Sequence, residues 1–395
     1  MTAPKLRFKE FDGDWANFNL GDISEIKTGP FGSTLHQKDY VEIGTPIITV
    51  EHLGEVGLTS QNLPLVSDED KVRLKSYMLD EGDLAFSRVG SVDRCAIITD
   101  KEKGWLFSGR ILRVRPNKKL VHSKNLMYAL KTEDAKYRIR SVAVGQTMPS
   151  LNTEILKNFS INLSNSVEEQ TKIASFLSAV DEKISQLTQK HQLLSQYKQG
   201  MMQKLFSQQI RFKADDGSEF GEWKETRVKD IFDVTRGQVL AVSKTVVVAD
   251  KEYKFPVFSS QTKQNGLMGF YKEYLFEDAI TWTTDGANAG EVNFRKGKFY
   301  CTNVCGVLKS EKGYANYCIA EILNRVTRKY VSYVGNPKLM NNVMSEIPIT
   351  IPRDIEEQTK IANFLSTIDQ KIEVVAQQIE QAKQWKKGLL QQMFV

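Results

Sequence analysis

The sequence predicts an α+β protein built from two unequal copies of one unit, each a globular block with a twisted or barrel-like sheet followed by a long helix. Three observations predict it. Glu168–Phe206 returns 188 residues later as Glu356–Phe394, with 19 of 39 positions identical and a shared opening run, EEQTKIA. Both copies space their apolar residues alternately by four and three: Ile173, Leu177, Val180, Ile184 and Leu187 in the first, Ile361, Leu365, Ile368, Ile372 and Val375 in the second. The blocks between them carry short β-rich runs separated by turn residues.

The four-three stripe is a coiled-coil seam. Neither copy contains proline and each holds one glycine, Gly200 or Gly388. Each can therefore be one helix, roughly 58 Å long at about 1.5 Å per residue. A helix with one narrow apolar seam needs a partner, and its own copy is at hand in the same chain. Ser164–Glu169 offers cap residues and early acidic residues that suit a helix start, and Pro352 precedes the second helix.

Each block also opens on a repeat. RFKEFDGDWANFNLGDI (Arg7–Ile23) and RFKADDGSEFGEWKETRVKDI (Arg211–Ile231) align Trp15 with Trp223 and, beyond them, Gly29 with Gly237. Strands are expected at Thr45–Val50, Gly82–Gly90, Cys95–Thr99 and Ile111–Pro116 in the first block, and at Tyr253–Ser260, Asp278–Gly286, Lys298–Lys309 and Ile347–Pro352 in the second. Each block also holds one late helical stretch, near Ser123–Arg140 and Ala315–Val331. The expected domains are residues 1–165, 166–208, 209–353 and 354–395.

A chain of 395 residues exceeds what one core usually holds. Its +6 charge sits in the blocks, net +2 in residues 1–165 and +4 in 209–353, a mild bias toward polyanions. No run of about 18 apolar residues exists, and MTAPKLRFKEF lacks an apolar signal core, so no membrane span and a cytoplasmic location are expected. Cys95, Cys301, Cys305 and Cys318 form no CxxC pair and read as buried apolar residues rather than metal ligands.

Motifs for nucleotide or methyl-donor chemistry are not found. Gly29-Pro30-Phe31-Gly32-Ser33-Thr34 lacks the lysine and spacing of a phosphate loop and reads as a turn. Asn336-Pro337-Lys338 is not the Asn/Asp-Pro-Pro-aromatic motif of amino-methyltransferases. The histidines His36, His52, His122 and His191 are scattered, and His191 falls on the seam where the other copy has Ile379. Lys198 and Lys386 also fall on the seam, where a lysine fixes register or marks the end of the two-stranded packing.

Two divergent blocks, each opened by W-x6-DI and closed by a short strand and an EEQTKIAxFLS helix, resemble the specificity subunit of Type I restriction-modification systems over essentially the whole chain. The resemblance implies two target-recognition domains, each reading half of a bipartite double-stranded DNA sequence. It also implies that the long helices pack antiparallel with pseudo-two-fold symmetry, separating the domains and docking two modification subunits. Catalysis would then lie in partners: modification subunits that use S-adenosylmethionine, and restriction subunits that use ATP and Mg²⁺. This chain would be a non-catalytic subunit with no catalytic residue and no metal. A self-contained DNA methyltransferase or nuclease with an unrecognised cofactor site is the alternative.

Base reading requires amide, hydroxyl and guanidinium groups on exposed loops, with cations holding phosphates. In the first block the DNA-binding candidates are Lys27, Thr28, Ser33, Arg88, Arg94, Gln146 and Thr147. In the second they are Arg236, Gln238, Ser259, Ser260, Gln261, Thr262, Lys263, Asn288 and Lys338. Arg88 and Arg94 can equally pair with Asp83 or Asp93.

Overall fold

The computed structural model describes residues 4–30, 34–54, 57–145, 147–260 and 263–394. They form two compact units, Met1–Gln189 with Val375–Val395, and Lys190–Val374. The division falls inside both long helices, Val167–Phe206 and Ile355–Met393, so each unit holds one globular block and about half of each helix.

In the first unit the strand Leu84–Ser87 is buried at every position, and its alternation organises two cores. Leu84 and Phe86 pack with Leu112, Val114, Leu126 and Ile139, whereas Ala85 faces Ile48, Ala96, Phe107 and Ile111. This strand sits in an antiparallel sheet ordered Ser24–Thr28, Ile111–Pro116, Leu84–Ser87, Cys95–Ile97. A second sheet runs Tyr40–Val41, Leu65–Val66, Thr45–Ile48, Leu106–Phe107, its last pair parallel. Trp15–Asn19 and Ser160–Ser164 make a separate antiparallel ribbon leading into the long helix.

The second unit gathers its strands into one sheet of six, ordered Asp233–Arg236, Cys305–Lys309, Phe276–Thr283, Val292–Cys301, Phe255–Phe258, Leu267–Tyr271. The ribbon returns as Lys224–Arg227 with Pro348–Ile351. Trp282 is fully buried; a Cβ at Gly306, its neighbour across the sheet, would lie 2.1 Å from the indole, so only glycine fits there. The indole N–H donates to the Leu339 carbonyl (3.0 Å), which fixes the chain leading to the second ribbon strand.

Two expectations need correction. Ser123–Arg140 is two helices, Ser123–Leu130 and Glu133–Val142, because the Thr132 hydroxyl donates to Ala129 O (2.9 Å) and accepts from Ala135 N (3.2 Å), ending one helix and capping the next. Lys298–Lys309 is not one strand: it is the end of Val292–Cys301 and the whole of Cys305–Lys309, joined by a turn in which Cys305 N donates to Thr302 O (3.0 Å). The helix expected at Ala315–Val331 is Tyr317–Val326, finishing in a tighter turn at Thr327–Tyr330.

The shared EEQTKIA run is explained by what it grips. Glu169 is fully buried and accepts two bonds from Arg7 (2.7 and 2.8 Å); Glu357, also buried, accepts two from Arg211 (3.0 and 2.9 Å). The same arginines reach Gly13 O (2.6 Å) and Gly221 O (2.7 Å), tying each block's opening segment to its helix. Burial alone would raise the Glu169 carboxyl, but the bonds from Arg7 and Ser164 outweigh it and hold it below the usual glutamate range. Gln170 donates to Ser164 O (2.8 Å) and Leu120 O (3.1 Å), and Gln358 donates to Pro352 O (2.9 Å), so each glutamine satisfies the loop before its helix. Lys172 pairs with Glu10, and Lys360 with Asp215.

In each unit the two helix segments pack antiparallel. In the first, Ile173, Leu177, Val180 and Ile184 meet Leu389, Met393 and Phe394, and in the second, Ile361 and Leu365 meet Leu205. Leu187, Ile368 and Val375 are buried as well, and Ile372 is half-buried.

Candidate nucleic-acid interface

The two blocks build one loop scaffold twice from almost unrelated sequence. In the first unit Gly29 N donates to Ile111 O (3.0 Å), Arg88 N to Arg110 O (2.9 Å), Gly90 N to Pro149 O (2.9 Å) and Leu151 N to Arg88 O (2.8 Å). The second unit repeats this: Gly237 N to Cys305 O (3.1 Å), Thr284 N to Val304 O (3.2 Å), Gly286 N to Pro337 O (2.9 Å) and Leu339 N to Thr284 O (2.8 Å). A hairpin-like loop closes each cluster through reciprocal bonds, Val144 with Ser150 and Ser332 with Lys338. At Gly29 an added Cβ would lie 2.1 Å from Ser108 O, and at Gly237 2.1 Å from Cys301 O, so the aligned glycines mark where the chain crosses a neighbouring backbone. The expected turn at Gly29–Thr34 falls largely on Phe31, Gly32 and Ser33, which lie outside the described residues.

This scaffold gathers several of the expected side chains. Arg88 is half-buried and donates from Nη1 to Gly109 O (3.0 Å) and Thr28 Oγ1 (3.2 Å), so Thr28 and Arg88 belong to one cluster with exposed Thr147. In the second unit Arg236, Gln238 and Lys338 are exposed, Asn288 is half-buried, and Lys338 lies 3.9 Å from Asp285. Ser259 accepts a hydrogen bond from Thr302 Oγ1 (3.1 Å), and Ser260 beside it is half-buried. Ser33, Gln146, Gln261 and Thr262 lie outside the described residues, as does the side chain of Lys263.

Two candidates sit elsewhere. Lys27 bonds Ser76 O (3.0 Å) and lies over the Tyr77 ring (4.5 Å), spending its charge on its own block. Arg94 is exposed on the far limb of the hairpin from Arg88 and lines a cavity of about 710 Å³ with Lys131, Lys136, Lys383 and Lys387. The alternative pairing is corrected too: Asp83 pairs with Arg115 (2.7 Å) and Asp93 with Arg140 (2.5 Å), not with Arg88 or Arg94.

Three residues that were not among the expected DNA contacts lie in or beside the clusters. Arg110 is exposed and its carbonyl holds Arg88 in place; Asn336 is exposed in the closing loop of the second unit. Arg295 is half-buried, with Nε donating to Thr281 Oγ1 (3.0 Å), Nη2 to Asn265 O (2.7 Å) and the guanidinium 3.8 Å from the Phe258 ring centroid. Burial lowers its pKa to about 10. Hydroxyls, amides and guanidinium groups on backbone-tied loops are equipped to bind and discriminate base edges.

Among the described residues no helix is long and apolar enough to cross a membrane. The family model for the Type I restriction modification DNA specificity domain matches residues 12–196 and 221–384. The putative specificity subunit of a type I restriction enzyme from Methanocaldococcus jannaschii is 27% identical, the alignment covering 98% of this chain and 94% of that protein. A putative type I specificity subunit N-terminus from Mycoplasma pneumoniae is 38% identical over 36% of this chain and 76% of its own length. The crystal structure of a Type I restriction-modification S subunit from M. genitalium shares the fold, with a TM-score of 0.71 at 17% identity over 100% of this chain and 99% of that one. With both of its repeats matched by that family model, the chain belongs to the Type I restriction-modification DNA specificity family.

Proposed function

We propose that this chain reads a bipartite duplex DNA sequence, one half-site by the loop cluster of each unit, and acts as the non-catalytic recognition subunit of its complex. The observation that carries the proposal is the repeated scaffold: the same backbone ties hold different side chains, Thr28, Arg88 and Thr147 in one unit, Arg236, Gln238, Asn288 and Lys338 in the other. A constant frame with changed groups reads two different half-sites. Two related readers in one chain suit the approximate two-fold symmetry of duplex DNA.

In this reading the long helices dock two modification subunits, which bring S-adenosylmethionine, and restriction subunits bring ATP and Mg²⁺. Selection of a random duplex pool by the full-length chain with its modification subunits tests the reading. It should return two short specified stretches separated by unspecified base pairs; one contiguous motif, or none, contradicts it. Radiolabelled S-adenosylmethionine should bind the assembled complex and not this chain alone. Binding by the chain alone would favour a self-contained methyltransferase.

A further inference from the structure

Arg295 lies on Val292–Cys301, paired across the sheet with Ala279, on the face opposite the Trp282 core. The described residues place no carboxylate within ion-pairing distance of it; Glu291 lines the same pocket without reaching it. Its partners are neutral: the Thr281 hydroxyl, the Asn265 carbonyl and the Phe258 ring. A guanidinium carries five N–H donors, and these contacts use two of them, at Nε and Nη2. The rest are left for a ligand. A half-buried cation without a counter-charge lowers the stability of the free protein. The ring below and the bonds at two corners also fix its orientation in advance.

We propose that Arg295 reads a guanine edge in the half-site taken by the second unit, a role that rests on the DNA-reading function proposed above. A rigid guanidinium matches the paired O6 and N7 acceptors of guanine as it matches a phosphate, and the choice between them rests on the neighbouring carboxylate. The recess at Arg295 holds only about 10 Å³, room for a water and not for a base, so a base edge would meet its polar rim rather than enter it. Ser259, Asn265, Thr283 and Asn293 offer neutral polar walls, and the Glu291 carboxylate on the same wall opposes a phosphate while it can accept from a cytosine amino group.

The test compares wild type, Arg295→Met and Arg295→Gln, each as full-length chain with its modification subunits, in selection from a random duplex pool, followed by binding to the selected duplex and to an unrelated one. Arg295→Met is expected to lose the preference for one G·C pair in one half-site, with affinity for the selected duplex falling about 10- to 100-fold. Affinity for the unrelated duplex and the other half-site should be unchanged, and the thermal midpoint of the free chain should hold or rise. Arg295→Gln removes the charge and the guanidinium fork while keeping a polar side chain, and should show the same loss of preference. An unchanged motif in either folded variant overturns the proposal. So does uniform weakening on both duplexes with a shallower salt dependence, the mark of a phosphate contact. If Arg295→Met fails to fold, the glutamine variant decides by its motif. A wild-type chain that selects no motif defeats the function reading itself, a different result from a wild-type motif that survives the substitution.

Discussion

Lys198 on the first long helix pairs with Asp369 on the second, Nζ to carboxylate 2.8 Å, and Lys386 repeats the contact with Asp181 at 2.5 Å. Each aspartate also accepts a tyrosine hydroxyl from its block, Tyr317 on Asp369 and Tyr128 on Asp181. Tyr317 is the first residue of its helix and Tyr128 the sixth of its own, so the blocks reach the same helix position by different routes. A lysine in an apolar seam costs stability unless its charge is met, and these charges are met only in the antiparallel register. The lysines are register pins, not the end of the seam.

Removing Lys198 leaves Asp369, Glu321 and Tyr317 facing one another without a cation. Lys198→Met should destabilise the chain by about 1–2 kcal/mol, the low end for a broken pair because Asp369 is partly exposed. The double change Lys198→Met with Asp369→Leu should recover most of the loss. Urea unfolding of the four species gives the coupling directly, and additive losses would contradict the pin.

Acid sensitivity should centre on Glu169. Its folded carboxyl is held below the usual 4.5, so the stability it contributes is complete above that value and drains away as pH falls beneath it. Glu169→Gln should be less stable than wild type at neutral pH and show a flatter fall in unfolding free energy as pH drops below about 4.5. Parallel acid limbs for the two proteins would rule out this source.

A fragment of residues 1–208 carries Asp181 and Lys198 on one helix, together with the seam that meets the other copy. Two such fragments placed antiparallel can form both ion pairs between themselves. The fragment should sediment as a dimer and, with modification subunits, methylate a symmetric site. Monomers alone up to high concentration would contradict it.

The helices were legible because a four-three stripe over 39 residues leaves few alternatives, and the strands because β-branched runs ended at turn residues. What Glu169 is for was not legible: its partner Arg7 lies 162 residues away, and nothing local marks the pair. The helix break at Thr132 was missed because a threonine inside a helical pattern becomes a cap only when its hydroxyl turns back to the backbone. At the loops, sequence proximity joined Arg88 and Arg94, but a hairpin turn sends them to different surfaces. Arg295 stood in the run FRKGK, where a strand cation reads as a solvated edge, and only the fold supplies the Phe258 ring beneath it.

The central claim, one half-site per unit, is tested most directly by exchanging residues 210–353 for the corresponding block of another family member and sequencing the methylated motifs of cells carrying the hybrid with its partner subunits. The account predicts that one half of the motif changes and the other is retained base for base. A motif altered in both halves, or in neither, would contradict it.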